Sequence, residues 1–519
     1  MMHNLFELFQ SCFPVDRSEP FIETEDGRTY TYADAEQTSG RFAQLLGRLG
    51  IKPGDRLAVQ VEKSPEAVFL YLASLRLGAV YLPLNTAYRD AEMRHFLTDA
   101  EPKALVCSPE DKAKRSTLFQ DCGVACILTL DGQGQGSLVE ESRGLDADHP
   151  TAETGVDDIA ALLYTSGTTG RPKGAMLSHY NLAANLKTLH RAWGWGPEDV
   201  LLHTLPLFHT HGLFVALGCV LLNGTRMLFL PQFDADRTVR LLPRASVFMG
   251  VPTHYVRLLA HPGLTRDACR NMRLFVSGSA PLLEEIFHAF TERTGHTILE
   301  RCGMTETGMN MSNPLDGERI AGTVGPVLPG IEARITDPDG KPLLAGNTGI
   351  LEVRGPNVFK GYWRQSEKAE AEFRCDGFFI TGDLARIDER GYVSIVGRAT
   401  DMIISGGYNV YPKEVETAID AVEGVAESAV IGLAHPDFGE AVVAVVRPSE
   451  EPSGPSEAKI IAIVKVDLAN YKVPKRVFFI GELPRNTMGK VQKNVLRERF
   501  ADTFSAIPSA SPKTPLGNP

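Results

Sequence analysis

The first 130 residues alternate short apolar runs with amphipathic segments. Residues 56–61 and 79–84 are apolar runs of strand length, and residues 65–76 between them carry apolar side chains three and four positions apart. This spacing predicts a helix between two strands, and further short strands are predicted at 103–107 and 125–130. Such a strand–helix–strand order favours mainly parallel sheets with helices packed on their faces.

The composition of the chain changes after residue 320. Glycine and proline become frequent, and residues 349–354 form a short strand candidate between turns, which predicts a β-rich subdomain. Further along, a helix is predicted at 410–422 and strands at 429–433 and 441–447, followed by a second helix near 456–470. These elements form an α+β unit of a size that folds on its own.

A chain of 519 residues is too long for a single core, because cores stop growing at roughly 250–300 residues. We therefore predict an α/β fold in which residues 1–397 form a large N-terminal domain of stacked β-sheets with flanking helices and a β-rich subdomain. Residues 398–505 are predicted to form a small mobile α+β C-terminal domain. Residues 506–519 are rich in Pro and Ser and are predicted to be a disordered tail.

Composition and charge exclude several classes of protein. Hydrophobic residues make up 43% of the chain and charged residues 23%, as in globular proteins. A net charge of −11 argues against broad binding to nucleic acid or anionic membranes. No apolar run reaches the roughly 20 residues of a membrane span, and residues 1–13 lack the basic start of a signal peptide. The eight cysteines are scattered without a CxxC pair, which predicts reduced thiols and a cytoplasmic location.

The most informative segment is a glycine- and hydroxyl-rich loop at 164–174, with the sequence YTSGTTGRPKG. Glycines let backbone amides approach an anion, hydroxyl groups add donors, and Lys173 adds charge, so the loop predicts a polyphosphate site. It is not a Walker loop, because Pro172 precedes Lys173 and Gly174 follows it.

Residues 165–173 resemble the signature loop of the adenylate-forming superfamily, which contains acyl-CoA synthetases, nonribosomal peptide adenylation domains and luciferases. Further superfamily motifs follow in order: PLFHTHG at 206–212, SGSAP at 277–281, GMTET at 303–307, TGD at 381–383, GR at 397–398, SGGYNVYP at 405–412 and PRNTMGK at 484–490. On these motifs the chain is identified as a member of the acyl-CoA synthetase branch. The resemblance implies that ATP activates a carboxylic acid as an acyl-adenylate and that coenzyme A then takes the acyl group.

The resemblance also implies which residues bind ATP. They are Thr165, Ser166, Gly167, Thr168, Thr169, Gly170, Lys173, Ser279, Cys302, Gly303, Thr305, Asp383 and Arg398. Glu306 offers the hard oxygen ligand that Mg²⁺ prefers, and Thr168 is expected beside it. Asp383 can accept hydrogen bonds from both ribose hydroxyls. Thr305 and His209 join Glu306 and Lys490 as the expected catalytic residues.

The resemblance implies two conformations for the C-terminal domain. In one, Lys490 is expected to bridge the carboxylate and the α-phosphate, and its exposure makes it a candidate for acetylation by a lysine acetyltransferase and for reversal by a deacylase. In the other, rotation about 398–401 is expected to bring Ser405, Gly406 and Gly407 to the pantetheine arm of coenzyme A. Two residues depart from the family pattern: Thr400 replaces a hinge Asp or Lys, and Cys302 replaces an aromatic residue that stacks on adenine.

The acid is suggested by residues 251–259, which resemble the acyl-pocket helix of malonyl-CoA synthetases. In those enzymes an arginine at the position of Arg257 pairs with the second carboxylate, and His209, Ser277 and Gly278 are expected to complete the pocket. The predicted substrate is malonate or methylmalonate. The alternatives are another short or medium acid, or a stand-alone adenylation enzyme that loads a carrier protein. From the residues alone, Arg257 could equally be a solvated helix residue.

Overall fold

The computed structural model describes most of the chain, namely residues 4–166, 172–280, 282, 284–365, 371–398, 403–410, 412–449, 454–484 and 491–504. The described residues fall into two compact units, one that ends at 398 and one that runs from 403 to 504. The predicted domain boundary at 398 borders residues 399–402, which lie outside the described ones, and it stays a prediction. The predicted tail at 506–519 also lies outside them.

The first unit contains all the strands of three sheets. In chain order they are β1 (Pro20–Thr24), β2 (Thr29–Thr31), β3 (Arg56–Gln60), β4 (Val80–Pro83), β5 (Ala104–Cys107), β6 (Cys126–Thr129), β7 (Ile159–Ser166), β8 (Pro172–Ser178), β9 (Val200–His203), β10 (Arg226–Phe229), β11 (Val247–Gly250), β12 (Leu274–Ser277), β13 (Leu299–Met304), β14 (Gly308–Ser312), β15 (Gly325–Pro326), β16 (Glu332–Thr336), β17 (Gly349–Arg354), β18 (Phe379–Ile387) and β19 (Tyr392–Arg398).

Helices surround these strands. They are α1 (Leu5–Cys12), α2 (Tyr32–Arg48), α3 (Pro65–Leu77), α4 (Asp90–Ala100), α5 (Pro109–Asp121), α6 (Ser137–Ser142), α7 (His179–Ala192), α8 (Gly218–Asn223), α9 (Ala235–Leu241), α10 (Pro252–Ala260) and α11 (Glu284–Thr294), with a π-helix at His211–Leu217 and a 3₁₀ turn at Leu242–Arg244. Among the described helices, none has the length and apolar character needed to cross a membrane.

The predicted helix between the first two strands shows why these elements form where they do. Ser64 caps α3 by accepting a hydrogen bond from the backbone N–H of Ala67, and Pro65 occupies the first turn, where its missing N–H costs nothing. Gly78 ends the helix in the left-handed conformation, with φ of 72°. The helix is buried almost all round, because it is covered by α2 as well as by its own sheet.

The sheets explain where a ligand can bind. A six-stranded sheet has the order β6-β5-β3-β4-β7-β8, and an eight-stranded sheet has the order β14-β13-β12-β11-β9-β10-β1-β2. The inner strands of both are parallel, and β2 and β14 are antiparallel edges. A third, antiparallel sheet has the order β15-β19-β18-β17-β16. Ligands of such folds bind at the carboxyl ends of the parallel strands.

The second unit is the α+β structure that the sequence predicts. It contains β20 (Ile403–Ser405), β21 (Tyr408–Val410), α12 (Pro412–Asp420), β22 (Val425–His435), β23 (Gly439–Pro448), α13 (Glu457–Asp467), β24 (Arg476–Phe479), α14 (Lys493–Arg499) and a 3₁₀ turn at Ala501–Phe504. The sheet order is β21-β20-β23-β22, and β24 joins β23 in parallel. The predicted fold class is thus confirmed in both its α/β and its α+β parts.

A buried ion pair stabilises the second unit. The Nζ atom of Lys472 lies 2.7 Å from Oε1 of Glu414 on α12, and the two side chains are 3% and 8% exposed. Oε2 of Glu414 is buried and has no hydrogen-bond partner among the described residues. Removing the lysine would therefore leave a carboxylate without its main compensation, which is more costly than removing both groups.

We expect Lys472→Met to destabilise the second unit by about 3 kcal/mol, because Glu414 would stay buried without its cation. Hydrogen–deuterium exchange of α12 in the full-length protein measures this as faster exchange of its amides. Lys459→Met, which removes an exposed lysine from α13, is the matched control. Equal protection of α12 in both variants would contradict the prediction.

Candidate active site

Two of the predicted nucleotide-site residues meet at the end of β7. The Thr165 hydroxyl donates a hydrogen bond of 3.1 Å to Oε1 of Glu306, and the Tyr362 hydroxyl donates one of the same length to the same oxygen. Glu306 follows β13 and is only 6% exposed. The structure therefore brings together the first residue of the phosphate loop and the expected magnesium ligand, which are far apart in sequence.

The predicted phosphate-binding lysine is already paired. Nζ of Lys173, in β8, lies 2.6 Å from Oε1 of Glu372 and 4.6 Å from the centre of the Tyr362 ring. The carboxylate of Glu372 balances the charge of Lys173, which is only 4% exposed. A phosphate that binds Lys173 has to compete with Glu372, so this predicted contact stays a prediction. Residues 167–170 lie outside the described ones, and of Ser166 only the backbone is described.

The predicted ribose and adenine residues lie on two different sheets. Asp383 of β18 is 8% exposed and pairs across the antiparallel ladder with Arg398 of β19. Its backbone N–H donates to the Thr381 hydroxyl at 3.1 Å. Cys302 and Thr305, at the end of β13 and just after it, are partly exposed. The backbone register thus juxtaposes the two expected ribose contacts.

A second group of polar residues surrounds Arg301 of β13. Arg301 is 3% exposed, and its Nε and Nη2 atoms have no hydrogen-bond partner among the described residues. Burial lowers the pKa of its guanidinium to about 10, so it remains charged at neutral pH. A buried cation without a partner is unfavourable, and such an arrangement calls for an anionic ligand.

The guanidinium of Arg301 lies against the backbone of Gly278, just after β12. A Cβ atom at residue 278 would lie 2.3 Å from Cζ of Arg301, closer than any real contact. A side chain at residue 278 would therefore require the guanidinium of Arg301 to shift from this position. Neighbouring Ser277 is fully buried, and its hydroxyl has no partner among the described residues.

Three histidines border the same region and are held neutral. Burial and the charge of Arg301 lower the pKa of His209 to about 4, and the same two causes, in the same order, lower that of His211 well below its usual value. Burial and the charge of Arg257 lower the pKa of His254 to about 3. Neutral imidazoles can donate or accept hydrogen bonds without adding charge.

Two of these histidines carry unsatisfied ring nitrogens. Nδ1 of His211 lies 3.3 Å from the hydroxyl of Ser279, which adopts a left-handed backbone with φ of 70°. Nε2 of His211 and Nδ1 of His254 are buried and have no partner among the described residues. Together with Arg301 and Ser277, they form a set of polar groups, here called the acyl pocket, that a carboxylate would satisfy.

Arg257, the predicted carboxylate anchor, is exposed on α10. It lies one turn after His254 and its charge acts on that residue, which places it near the acyl pocket. Its direct contact with an acid stays a prediction. His209 is partly exposed, and its Nδ1 atom accepts a hydrogen bond of 3.4 Å from the backbone N–H of His211.

The residues expected to contact coenzyme A form a hairpin turn in the second unit. Gly406 and Gly407 connect β20 to β21 with φ of 60° and 82°, the two positive values that a two-residue hairpin turn requires. Ser405 precedes them and is 2% exposed. The expected hinge Thr400 and the expected catalytic Lys490 lie outside the described residues.

The sequence also suggests His211 as a polar contact of the pocket, beside His209, but sequence reasoning missed Arg301 and His254 as site residues. A signal for Arg301 was present, since Leu299 and Arg301 lie two positions apart in a strand and so share one face of it. An arginine on the same face as a buried leucine is a candidate for a buried cation. For the histidines, only the tertiary structure brings the π-helix and α10 to one place.

Comparisons with known proteins agree with this geometry. Residues 12–363 match the model of the AMP-binding enzyme family, and residues 414–490 match the model of the AMP-binding enzyme C-terminal domain. The chain is 33% identical to the malonate–CoA ligase of Arabidopsis thaliana, over 95% of this chain and 89% of that protein.

Two solved structures are similar over nearly the whole chain. Apo MatB from Rhodopseudomonas palustris is 53% identical with a TM-score of 0.76, covering 97% of this chain and 100% of that one. A malonyl-CoA ligase complex with methylmalonyl-CoA and AMP is 35% identical with a TM-score of 0.80, covering 92% and 100%. The fold and these comparisons thus define the class of the protein as an AMP-forming acid–CoA ligase. The chain belongs to the AMP-binding enzyme family, and the predicted resemblance is confirmed.

The charges of the acyl pocket can be tested by NMR titration of histidine-labelled protein. We expect His209 to titrate with a pKa of about 4 and His254 with a pKa of about 3. Arg301→Met should raise the pKa of His209 and leave that of His254 nearly unchanged, because removing a nearby positive charge favours protonation. Arg257→Met is the matched variant and should raise only the pKa of His254. Equal shifts of both histidines in both variants would contradict the assignment of charges.

Proposed function

We propose that this enzyme joins malonate, or methylmalonate, to coenzyme A with ATP, through an acyl-adenylate, and releases AMP and pyrophosphate. The similarity to malonate–CoA ligases supports this activity. The single observation that carries the choice of acid is the buried guanidinium of Arg301, with two nitrogens that no described residue satisfies.

Arg301 favours an acid with two carboxylates. One carboxylate must stay free to attack the α-phosphorus of ATP, so a buried cation in the acyl pocket needs a second anionic group on the substrate. A planar guanidinium binds a carboxylate with two parallel hydrogen bonds. A monocarboxylic acid would leave Arg301 buried without compensation, at a cost of several kcal/mol.

The neighbouring groups suit the same ligand. Ser277 and the neutral rings of His211 and His254 can donate hydrogen bonds to carboxylate oxygens that Arg301 leaves unfilled. Arg257, close to His254, is proposed to add positive charge at the entrance of the acyl pocket. His209 and Gly278 are proposed to shape the pocket.

On the nucleotide side, Glu306 and Thr165 are proposed to face the triphosphate. The hydroxyl oxygen of Thr165 lies 3.1 Å from Oε1 of the buried Glu306 carboxylate. Hard oxygen ligands of this kind fit Mg²⁺. Glu306 and Thr168 would hold the ion, which neutralises phosphate charge when it is bound. The phosphate loop with Lys173, and Thr305 beside Glu306, are proposed to orient the phosphates.

Asp383 and Arg398 are proposed to hold the ribose, since their backbones are paired in adjacent strands. The C-terminal domain is proposed to rotate about 398–401 between the two half-reactions. In the first, Lys490 would bridge the acid and the α-phosphate; in the second, Ser405, Gly406 and Gly407 would approach coenzyme A. Acetylation of Lys490 would remove the bridging charge. All eight cysteines are free thiols, which supports a cytoplasmic location.

Substrate choice can be tested by measuring pyrophosphate release with malonate, methylmalonate and butyrate, with and without coenzyme A. We expect kcat/KM for malonate to exceed that for butyrate by at least about 100-fold, because butyrate leaves the buried cation unpaired. Arg301→Met should lower kcat/KM for malonate by about 100-fold and should not lower that for butyrate.

Arg240→Met, which removes an exposed arginine on α9, is the matched control and should behave as the wild type. Equal rates with butyrate and malonate would overturn the choice of acid. Pyrophosphate release without thioester formation would indicate a carrier protein as the acyl acceptor.

The role of Lys490 predicts unequal effects on the two half-reactions. Lys490→Ala should slow adenylation by at least about 100-fold, because the bridging cation is lost. It should change thioester formation from supplied malonyl-adenylate by less than about threefold. Separate assays of the two steps, with Lys459→Ala as the control, decide the question, and an equal loss in both steps would contradict the two-conformation mechanism.

A further inference from the structure

A lysine outside every motif lies between the two parallel sheets. Lys63 follows β3 in the six-stranded sheet, and its Nζ atom lies 2.8 Å from Nδ1 and 2.9 Å from the carbonyl oxygen of His203, the last residue of β9 in the eight-stranded sheet. The same atom lies 4.3 Å from the centre of the Phe229 ring. Lys63 therefore ties the carboxyl ends of two sheets together.

These contacts fix the protonation of the His203 ring. Nε2 of His203 lies 3.0 Å from the carbonyl oxygen of Gly212, and a carbonyl only accepts, so Nε2 carries the hydrogen. In a neutral ring Nδ1 is then the acceptor, and Lys63 is the donor to it. Burial lowers the pKa of His203 well below its usual value, and the charge of Lys63 lowers it further, in agreement with a neutral ring.

The contact chain leads from Lys63 to the acyl pocket. Gly212 is the second residue of the π-helix that begins with His211, so its carbonyl oxygen is part of the segment that carries this pocket histidine. The charge of Lys63 also reaches His254 on the other side of the pocket and contributes to its low pKa. No described acidic residue forms an ion pair with Lys63.

We infer that Lys63 is a positioning residue for the acid substrate. Through the His203 ring it holds the Gly212 carbonyl, and with it the start of the π-helix. Its ammonium group also adds a positive charge near the acyl pocket, besides those of Arg301 and Arg257. This inference rests on the proposed function, since a doubly charged acid is the ligand that such cations would favour.

The first test compares Lys63→Met with Lys52→Met, which removes an exposed lysine with the same change in net charge. We expect Lys63→Met to raise the KM for malonate at least about tenfold, with a change in kcat of less than about threefold, because substrate positioning and not the reacting groups is altered. The KM for ATP should stay unchanged in both variants, and Lys52→Met should match the wild type.

The pH dependence of KM separates this role from a merely structural one. Burial lowers the pKa of Lys63 well below that of a solvated lysine. The groups that act on this site are His203, which contacts Lys63, and His254 with Arg257 beyond it. As the pH rises through the pKa of Lys63, its charge is lost and the KM for malonate rises. This basic limb should be present in the wild type and absent in Lys63→Met.

Two substitutions of His203 test the path through the ring, even if Lys63→Met does not fold. His203→Gln places an amide N–H near the position of Nε2 and keeps a donor to Gly212. His203→Asn keeps an acceptor near the position of Nδ1 but loses the donor to Gly212. We expect His203→Gln to keep a KM for malonate closer to the wild type than His203→Asn does, by about fivefold or more.

The outcomes separate this inference from the proposed function. If the wild type uses malonate and Lys63→Met keeps its KM and its pH profile, the inference alone is overturned. The same holds if the KM for ATP and for malonate rise equally, or if both His203 variants behave alike. If the wild type prefers a monocarboxylic acid, the proposed function fails in the substrate panel, and an unchanged KM for that acid in Lys63→Met overturns the inference as well.

Discussion

The acid side of the site depends on one constraint, the burial of a guanidinium without a protein carboxylate to pair with it. Arg301 has no ion pair among the described residues, and Gly278 leaves its place open because a side chain there would collide with it. Burial, together with the charge of this cation, lowers the pKa of His209 and of His211 and keeps both rings neutral. An anionic ligand would therefore bind favourably here, because its charge offsets the desolvation cost of the buried guanidinium. A neutral ligand would leave that cost without compensation.

The two parallel sheets explain how such a region is built from distant parts of the chain. Ser277 ends β12, and His211 and His254 lie in the first turn of the helices that follow β9 and β11. Arg301 lies inside β13, one residue beyond the part of β13 that pairs with β12. The contact of Lys63 with His203 then joins the ends of β3 and β9. This contact therefore lies both where the two sheets meet and at the start of the path that we propose toward the acyl pocket.

Sequence patterns predicted much of this fold, because the spacing of apolar residues indicates which face of each helix or strand is buried. The helix predicted at 65–76 is α3, Pro65–Leu77, since its cap, its proline and its final glycine are all local signals. Thr165, Glu306, Ser277 and Gly278 were singled out through the resemblance to the adenylate-forming superfamily, which short sequence motifs carry. Arg301 and Lys63 were not found, because their importance comes from burial beside groups that are remote in sequence. The sequence points to Arg257, an exposed residue of α10, and its contact with the acid stays a prediction.

The two halves of the site in the first unit differ in electrostatic design. Around the phosphate loop, basic and acidic groups are paired: Lys173 binds Glu372, and Glu306 accepts hydrogen bonds from Thr165 and Tyr362. In the acyl pocket the perturbed groups are a guanidinium and neutral imidazoles, and burial raises the pKa of the adjacent Glu300 carboxyl to about 7. A triphosphate carries several negative charges and binds with its own counterions. A site whose acidic and basic groups are already paired can therefore orient it. A small dianionic acid binds without such counterions, so a countercharge built into the protein would favour it, and on this ground we propose Arg301 as the residue that selects the acid.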